Sequence, residues 1–120
     1  MNKMSGVNRL PSERYECPSC EQAFDDDEVR NAWKCPKCGG YISVYAEDLE
    51  TGTRIVLIRK QAKEVEDGDL VHLPGMLTEE SYLVLGVSKL SNGKLGIGLK
   101  GYAQYKVMPD DPVNIRVGAW

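Results

Sequence analysis

The sequence predicts an all-β fold made of two small units, and three features support that prediction. The chain has 120 residues, enough for one ordinary domain or two very small ones. Its apolar residues fall in short segments, which alternate with polar residues or are rich in β-branched side chains, between turns that contain Gly, Pro, Asn or Asp. Its four cysteines form two Cys-x-x-Cys pairs near the N-terminus. A metal would therefore stabilise the first unit and an apolar core the second.

The cysteine pairs are the strongest signal in the chain. Cys17 and Cys20 form the first pair, and Cys35 and Cys38 form the second. Two intervening residues let a tight turn present both sulfur atoms to one tetrahedral ion, and the segment between the pairs is long enough for a hairpin. Two disulfides or a thioredoxin-like redox pair are the alternatives, but a redox motif has one pair beside a βαβ pattern. We therefore expect one structural Zn²⁺ with a thiolate at every coordination position.

The first unit is expected at residues 15–52, after a flexible tail at residues 1–14. A short extended segment should follow the first cysteine pair, and residues 31–34 should return as a strand to the second pair. Residues 41–45 alternate between apolar and polar positions, which predicts a strand that leaves the metal site.

The second unit is expected at residues 53–120. It begins with a strand at residues 53–58, which is rich in β-branched residues. The dipeptide Asn92-Gly93 between two apolar runs predicts a two-residue hairpin turn in which both residues have a positive φ. Four or five short strands in about the last 55 residues, with one tight hairpin, predict a small, strongly bent β-barrel of the SH3-like or OB-like kind. Glycines would permit the bending at Gly86, Gly96, Gly98 and Gly101.

The two cysteine segments, Cys17-Pro18-Ser19-Cys20 and Cys35-Pro36-Lys37-Cys38-Gly39, resemble the paired knuckles of the zinc-ribbon superfamily. The resemblance covers roughly residues 15–46 and is specific for the fold class rather than for any member. It implies a Cys₄ zinc site and a three-stranded antiparallel sheet. Proteins with this fold include transcription factors, RNA polymerase subunits, ribosomal proteins and small adaptors. One departure is Glu21, because the fuller knuckle pattern has glycine at that position; the ligands are unaffected.

A basic stretch in the second unit suggests a binding surface. The net charge is −3, but acidic and basic segments alternate, which allows a basic face on an acidic molecule. Lysine side chains can follow phosphates and tyrosine rings can stack on bases. The first hypothesis is therefore that the chain binds nucleic acid through its basic hairpin, in transcription or translation. The residues concerned are Lys89, Lys94, Lys100, Tyr102, Tyr105 and Lys106.

The second hypothesis is a protein-binding adaptor, and the sequence leaves both open. Lysines at this spacing also protect sheet edges from aggregation, and Tyr105 can equally belong to a core. Exposed strand edges can dock on a larger complex such as RNA polymerase or the ribosome. The acidic run at residues 25–28 would suit a basic partner. Because adjacent carboxylates point in several directions, we interpret that run as a solvated hairpin tip rather than as a divalent-cation site.

We do not expect an enzyme or a small-molecule substrate. The single histidine, His72, lies in an apolar strand segment, where packing is a simpler interpretation than catalysis. Gly96-Ile97-Gly98 lies within a strand pattern, whereas a phosphate-binding loop precedes a helix. The sequence shows no secretory signal and no long apolar segment, so a cytoplasmic location without membrane contact is expected. Thiols in that compartment stay reduced and bind metal more often than they form disulfides.

Overall fold

The structure, a computed structural model, describes residues 4, 12–48, 50, 52–72 and 81–120. Within them it contains one short helix, α1 (Asp26–Val29), and one 3₁₀ turn (Ala62–Glu64). The remaining elements are strands, so the all-β fold class is confirmed. The strands are β1 (Ser12–Cys17), β2 (Gln22–Phe24), β3 (Ser43–Asp48), β4 (Thr53–Gln61), β5 (Leu70–His72), β6 (Tyr82–Lys89), β7 (Leu95–Leu99), β8 (Tyr105–Val107) and β9 (Pro112–Ala119).

The predicted flexible tail lies largely outside the described residues. Met4 is described and is buried. β1 begins at Ser12 and pairs with β3 from that residue onward. Strand pairing therefore begins at Ser12, within the last residues of the predicted tail.

The strands form one sheet in the order β2-β1-β3-β4-β9-β5-β6-β7-β8, and all neighbouring pairs are antiparallel. Strands β2, β1 and β3 pair antiparallel in that order at one end of this sheet, as the zinc-ribbon resemblance leads us to expect. The long strand β4 pairs with β3 on one side and with β9 on the other. Because β4 pairs with one strand from each predicted unit, the sheet continues across the expected boundary.

Two apolar cores lie on opposite faces of the shared strand β4. Side chains alternate between the faces of a strand, so Ile55 and Leu57 face the first core, whereas Ile58 packs against the second. The first core contains Met4, Tyr15, Cys17, Phe24, Val29, Trp33, Cys35, Ile42, Val44, Ala46, Ile55 and Leu57. The second contains Ala62, Val65, Val71, Val84, Leu95, Ile97, Leu99, Val107, Val113 and Ile115.

The strands of the second half of the sheet share one core. Strands β9, β5, β6, β7 and β8 all contribute residues to that cluster. The pairing of β6 with β7 is irregular between Val84 and Gly86, and such irregularities increase local bending. The strand pairings found in the described residues run in one line from β2 to β8 and do not join the two ends. The SH3-like or OB-like barrel therefore stays a prediction.

The loop between β6 and β7 differs from the two-residue turn that the sequence predicts. Gly93 has a positive φ of 80°, but Asn92 does not have a positive φ. The loop spans residues 91–93 and is closed by the N–H of Leu90, which donates to the carbonyl of Lys94 at 2.9 Å. The Asn92 side chain accepts a bond from the Lys94 N–H at 3.2 Å, so it stabilises a three-residue loop that ends in a left-handed glycine.

The segment between the cysteine pairs begins as the short extended segment that the sequence predicts, β2, and then forms a helix. The acidic run forms the start of α1, where the Glu28 carboxylate accepts a hydrogen bond from the Asp25 N–H at 2.9 Å. The predicted strand at residues 31–34 is wrong, because these residues continue the turn. The Trp33 N–H donates to the Val29 carbonyl at 2.7 Å, and Trp33 has a φ of 54°.

Candidate metal centre and hairpin surface

Two similar turns position the four cysteines. Cys17 ends β1 and is buried, and Cys35 is also buried, whereas Cys20 and Cys38 are exposed. In each turn a backbone N–H points at the sulfur of the first cysteine. The Cys20 N–H donates to Cys17 Sγ and the Lys37 N–H donates to Cys35 Sγ, both at 3.4 Å. Such bonds orient thiolates toward a common centre.

The sulfur spacing fits one tetrahedral metal ion. All four Sγ atoms lie within 4.8 Å of one another, and two contacts measure 3.6 Å (Cys17 to Cys38) and 3.9 Å (Cys35 to Cys20). A tetrahedron with metal–sulfur bonds of about 2.3 Å has sulfur atoms about 3.8 Å apart. A disulfide would need about 2.05 Å, so the geometry favours a metal site over the disulfide alternative.

The electrostatics of the thiols also fit a bound cation. Backbone N–H groups, that of Cys38 foremost and that of Lys37 after it, lower the pKa of Cys35 to about 7, although burial acts in the opposite direction. By contrast, hydrogen bonds with the sulfur atoms of Cys38 and Cys17 raise the pKa of Cys20 to about 12. Four thiols this close cannot easily all be deprotonated at once, and a divalent cation at their centre would favour the form with four thiolates.

The residue after each cysteine pair is left-handed. Gly39 has a φ of 76°, and Glu21, its counterpart in the first turn, has a φ of 52°. Glycine adopts this conformation without a steric penalty, but other residues do so at a cost of about 1–2 kcal/mol. The departure of Glu21 from the zinc-ribbon pattern therefore falls on a position where glycine is the better residue.

A buried ion pair connects the cysteine half to the rest of the sheet. Arg59 of β4 donates to both carboxylate oxygens of Glu13 on β1, at 3.0 and 2.6 Å. Both side chains are buried, with 0% and 3% exposed. The guanidinium also donates to Asn114 Oδ1 at 2.9 Å and lies 4.4 Å from the centre of the Trp33 ring.

Tyr15 extends this network toward the first core. Its hydroxyl donates to Glu13 Oε1 at 2.8 Å. Burial, together with that bond to a carboxylate, raises the pKa of Tyr15 above its usual range. The hydroxyl therefore stays protonated and remains a donor to Glu13.

A second contact between the halves is made by Glu64 in the 3₁₀ turn. Its carboxylate accepts bonds from the Tyr41 hydroxyl at 3.0 Å and from Lys34 Nζ at 3.4 Å. Burial favours a raised pKa for Glu64, but the Gln61 N–H, the Tyr41 hydroxyl and the Lys34 charge outweigh it and lower the pKa. Burial and the bond to Glu64 raise the pKa of Tyr41 to about 12.

The structure separates the residues predicted to bind nucleic acid. Lys89 and Lys94 flank the β6–β7 loop, whereas Lys100 and Tyr102 lie beyond the other end of β7. Tyr102 is 49% exposed, and its ring centre is 5.1 Å from that of Tyr82. On β8, Tyr105 packs against the second core. Lys106, the next residue of that strand, is exposed and points to the opposite face.

Lys89 and Lys94 are the two predicted binding residues that share one concave site. We call this site the hairpin pocket; it is lined by Lys89, Leu90, Gly93, Lys94, Leu95 and Pro109. It is open to solvent on one side and has a volume of about 230 Å³. The lysines are exposed, and the remaining lining is mostly apolar.

Two features of the structure were missed by the sequence analysis. One is the buried Arg59 network, whose only signal was an arginine that follows four apolar residues in a strand. The other is an aromatic cluster, in which the Trp120 ring centre is 5.7 Å from that of Tyr45. The guanidinium groups of Arg14 and Arg54 lie 5.0 and 5.2 Å from the Trp120 ring. Register across β1, β3, β4 and β9 assembles this cluster, and no local pattern indicates it.

Comparisons with protein-family models, with curated proteins and with solved structures find no match. The zinc-ribbon resemblance therefore rests on the cysteine spacing and geometry. Among the residues that the structure describes, no helix is both long and apolar enough to cross a membrane.

Proposed function

We propose that the chain is a non-enzymatic module that one structural Zn²⁺ holds together and that binds a partner protein. The metal site supports the first part. Four soft thiolates in tetrahedral positions suit zinc, and they leave no coordination position for a water or a substrate. Elemental analysis of the purified protein should find one equivalent of zinc, and Cys38→Ser should lower that content. A protein that is folded without stoichiometric metal would contradict the proposal.

The burial of His72 supports a role without catalysis. The side chain is 1% exposed, and its residue pairs with Asn114 across β5 and β9. Asn114 in turn accepts the bond from Arg59. The imidazole of His72 therefore lies beside other buried polar side chains, where a substrate cannot reach it.

Exposed apolar side chains near the hairpin support a protein partner. Leu85 is 59% exposed and Val87 is 36% exposed, both on β6. Leu70 on the neighbouring strand β5 is 39% exposed. Exposed apolar side chains on neighbouring strands can together form a surface for protein contact. These three exposed side chains are the observation that carries the adaptor proposal, and cytoplasmic complexes such as RNA polymerase or the ribosome are the partners to examine.

Capture from a nuclease-treated extract tests the adaptor role. A protein identified in this way would be purified and its affinity for the chain measured. Leu85→Gln should weaken that affinity, whereas Val117→Gln serves as the control, since Val117 is 55% exposed on β9, two strands from β6 in the sheet. Equal affinities for both variants would contradict a docking surface on β6.

Nucleic-acid binding is the second candidate, because the lysines of the basic stretch are free to meet phosphates. Within the described residues, Lys89, Lys94, Lys100 and Lys106 take part in none of the ion pairs. Titration with single- and double-stranded oligonucleotides at low and moderate salt tests this role. Binding that weakens with salt, and weakens further in a Lys94→Glu, Lys100→Glu variant, would support it. Absence of binding at low salt would remove it.

A further inference from the structure

The hairpin pocket has the shape and chemistry of a receptor for one apolar side chain. Its walls are formed by Leu90, Leu95 and Pro109, and the loop glycine Gly93 completes the lining. A volume of about 230 Å³ suits a leucine or phenylalanine side chain. A concave, mostly apolar site with a few polar groups at its edge is the usual form of a binding pocket.

The pocket is held in shape before any partner arrives. On one side, the β6–β7 loop is closed by the bond between the Leu90 N–H and the Lys94 carbonyl at 2.9 Å. On the other side, the Pro109 carbonyl accepts a bond from the Lys63 N–H at 2.9 Å, which ties the β8–β9 turn to the 3₁₀ turn. The β8–β9 turn is itself closed by a hydrogen bond that the Met108 N–H donates to Asp111 Oδ2 at 2.8 Å. Preformed walls reduce the ordering cost of binding.

Charge at the edge of the pocket selects the partner. Lys89 and Lys94 both line it and are exposed, and neither is ion-paired within the described residues. Their ammonium groups complement carboxylates. The residues that line the pocket include no aromatic ring, so a nucleic-acid base would have no stacking platform there.

We infer that the hairpin pocket binds a peptide segment of a partner protein that carries one bulky apolar side chain flanked by acidic residues. This inference rests on the proposed adaptor function and names the class of segment that the adaptor recognises. The apolar side chain fills the pocket, and its acidic neighbours pair with Lys89 and Lys94. The acidic residues also steer association toward this end of the molecule.

The test is an NMR titration of the full-length, zinc-loaded, ¹⁵N-labelled chain with short synthetic peptides. The probe peptide carries one phenylalanine between glutamates; a second peptide has alanine in place of phenylalanine. The probe should shift the amide signals of Leu90, Gly93 and Lys94 saturably. The alanine peptide should bind about tenfold more weakly, because the apolar contact is lost.

Two double variants separate pocket recognition from general charge attraction. Lys89→Glu with Lys94→Glu should weaken binding of the probe by about tenfold or more. Lys100→Glu with Lys106→Glu changes the net charge equally but lies outside the pocket, so it should leave the affinity almost unchanged. Equal weakening by both variants would overturn the inference. So would shifts located elsewhere, the absence of shifts at the highest soluble peptide concentration, or a single-stranded oligonucleotide that shifts these amides when the peptide does not.

The outcomes also distinguish this inference from the adaptor proposal. If the chain binds an identified partner protein and the Lys89→Glu, Lys94→Glu variant binds it equally well, the pocket is not the recognition site, although the adaptor function stands. If the chain binds neither a partner protein nor the probe peptide, both proposals fail.

Discussion

Replacing Glu13 by glutamine would leave a buried guanidinium without its opposing charge. Glu13 and Arg59 are joined by two hydrogen bonds, and their side chains are 3% and 0% exposed. Glutamine has nearly the same shape, but its amide nitrogen would face the N–H groups of Arg59. Breaking a buried ion pair from one side costs about 3–5 kcal/mol. Because the Asn114 oxygen and the Trp33 ring still contact the guanidinium, we expect a loss near the lower value, about 3 kcal/mol.

Urea denaturation followed by far-ultraviolet circular dichroism measures this loss. With a slope of about 1–3 kcal/mol per molar urea, a loss of about 3 kcal/mol lowers the midpoint by about 1–3 M. Glu16→Gln is the matched control on the same strand. The Arg14–Glu16 pair is 2.9 Å apart, but its side chains are 56% and 37% exposed, so the control should lose less than about 1 kcal/mol.

A double variant tests whether the lost stability comes from breaking the ion pair between Glu13 and Arg59. Glu13→Leu with Arg59→Met removes both charges, and an apolar replacement of a buried pair is often neutral. We therefore expect the double variant to be more stable than Glu13→Gln. A loss below about 0.5 kcal/mol in Glu13→Gln would refute the reasoning, and so would a double variant whose loss equals the sum of the two single losses.

Three further predictions concern the cysteine turns, acid stability and the metal. Glu21→Gly should raise the stability of the metal-bound protein by about 0.5–1 kcal/mol in thermal unfolding, and Gly39→Ala should lower it, because both positions are left-handed; a destabilised Glu21→Gly would contradict this. The lowered pKa of Glu64 stabilises the fold above its ordinary pKa of 4.5, and that contribution disappears as the pH falls through the folded-state pKa. Glu64→Gln should therefore be less stable than the wild type at pH 7 and differ little from it at low pH in denaturant titrations; a pH-independent difference would argue against this origin. Removal of the metal by a chelator should abolish dispersed amide NMR signals from β5 to β9 as well as from β1 to β3, and persistence of the β5–β9 signals would show independent units.

Local sequence patterns predicted the strands whose burial follows a simple alternation. The strand expected at residues 53–58 forms the first part of β4, where buried and more exposed residues alternate. In β3 and the residue before it, Ile42 and Val44 share a buried face as predicted. The cysteine spacing predicted a cluster of four sulfur atoms, and the structure brings them together. In each case the determining contacts lie within one segment or one repeated motif.

Contacts between distant segments account for what the sequence did not predict. Trp33 is left-handed although it is not glycine, because its buried indole donates to the Met4 carbonyl at 2.7 Å and its ring covers Arg59. The sequence pattern predicts that β4 begins as a strand, but it does not predict that this strand pairs with β3 and β9. Tyr105 and Lys106 point to opposite faces because successive side chains of a strand alternate, but the pairing of β8 with β7 decides which of the two faces the core.

The buried ion pair makes the metal site a stabilising element for the whole chain. Cys17, Cys35 and Trp33 belong to the first core, so loss of the metal would loosen the residues that cover Arg59. Arg59 would then lie in the middle of the sheet without Glu13, at a cost of several kcal/mol. A domain of this size has a total stability of only about 5–15 kcal/mol. The two predicted units should therefore unfold together, and the hairpin pocket at the far end of the sheet should keep its shape only while the four thiolates hold their ion.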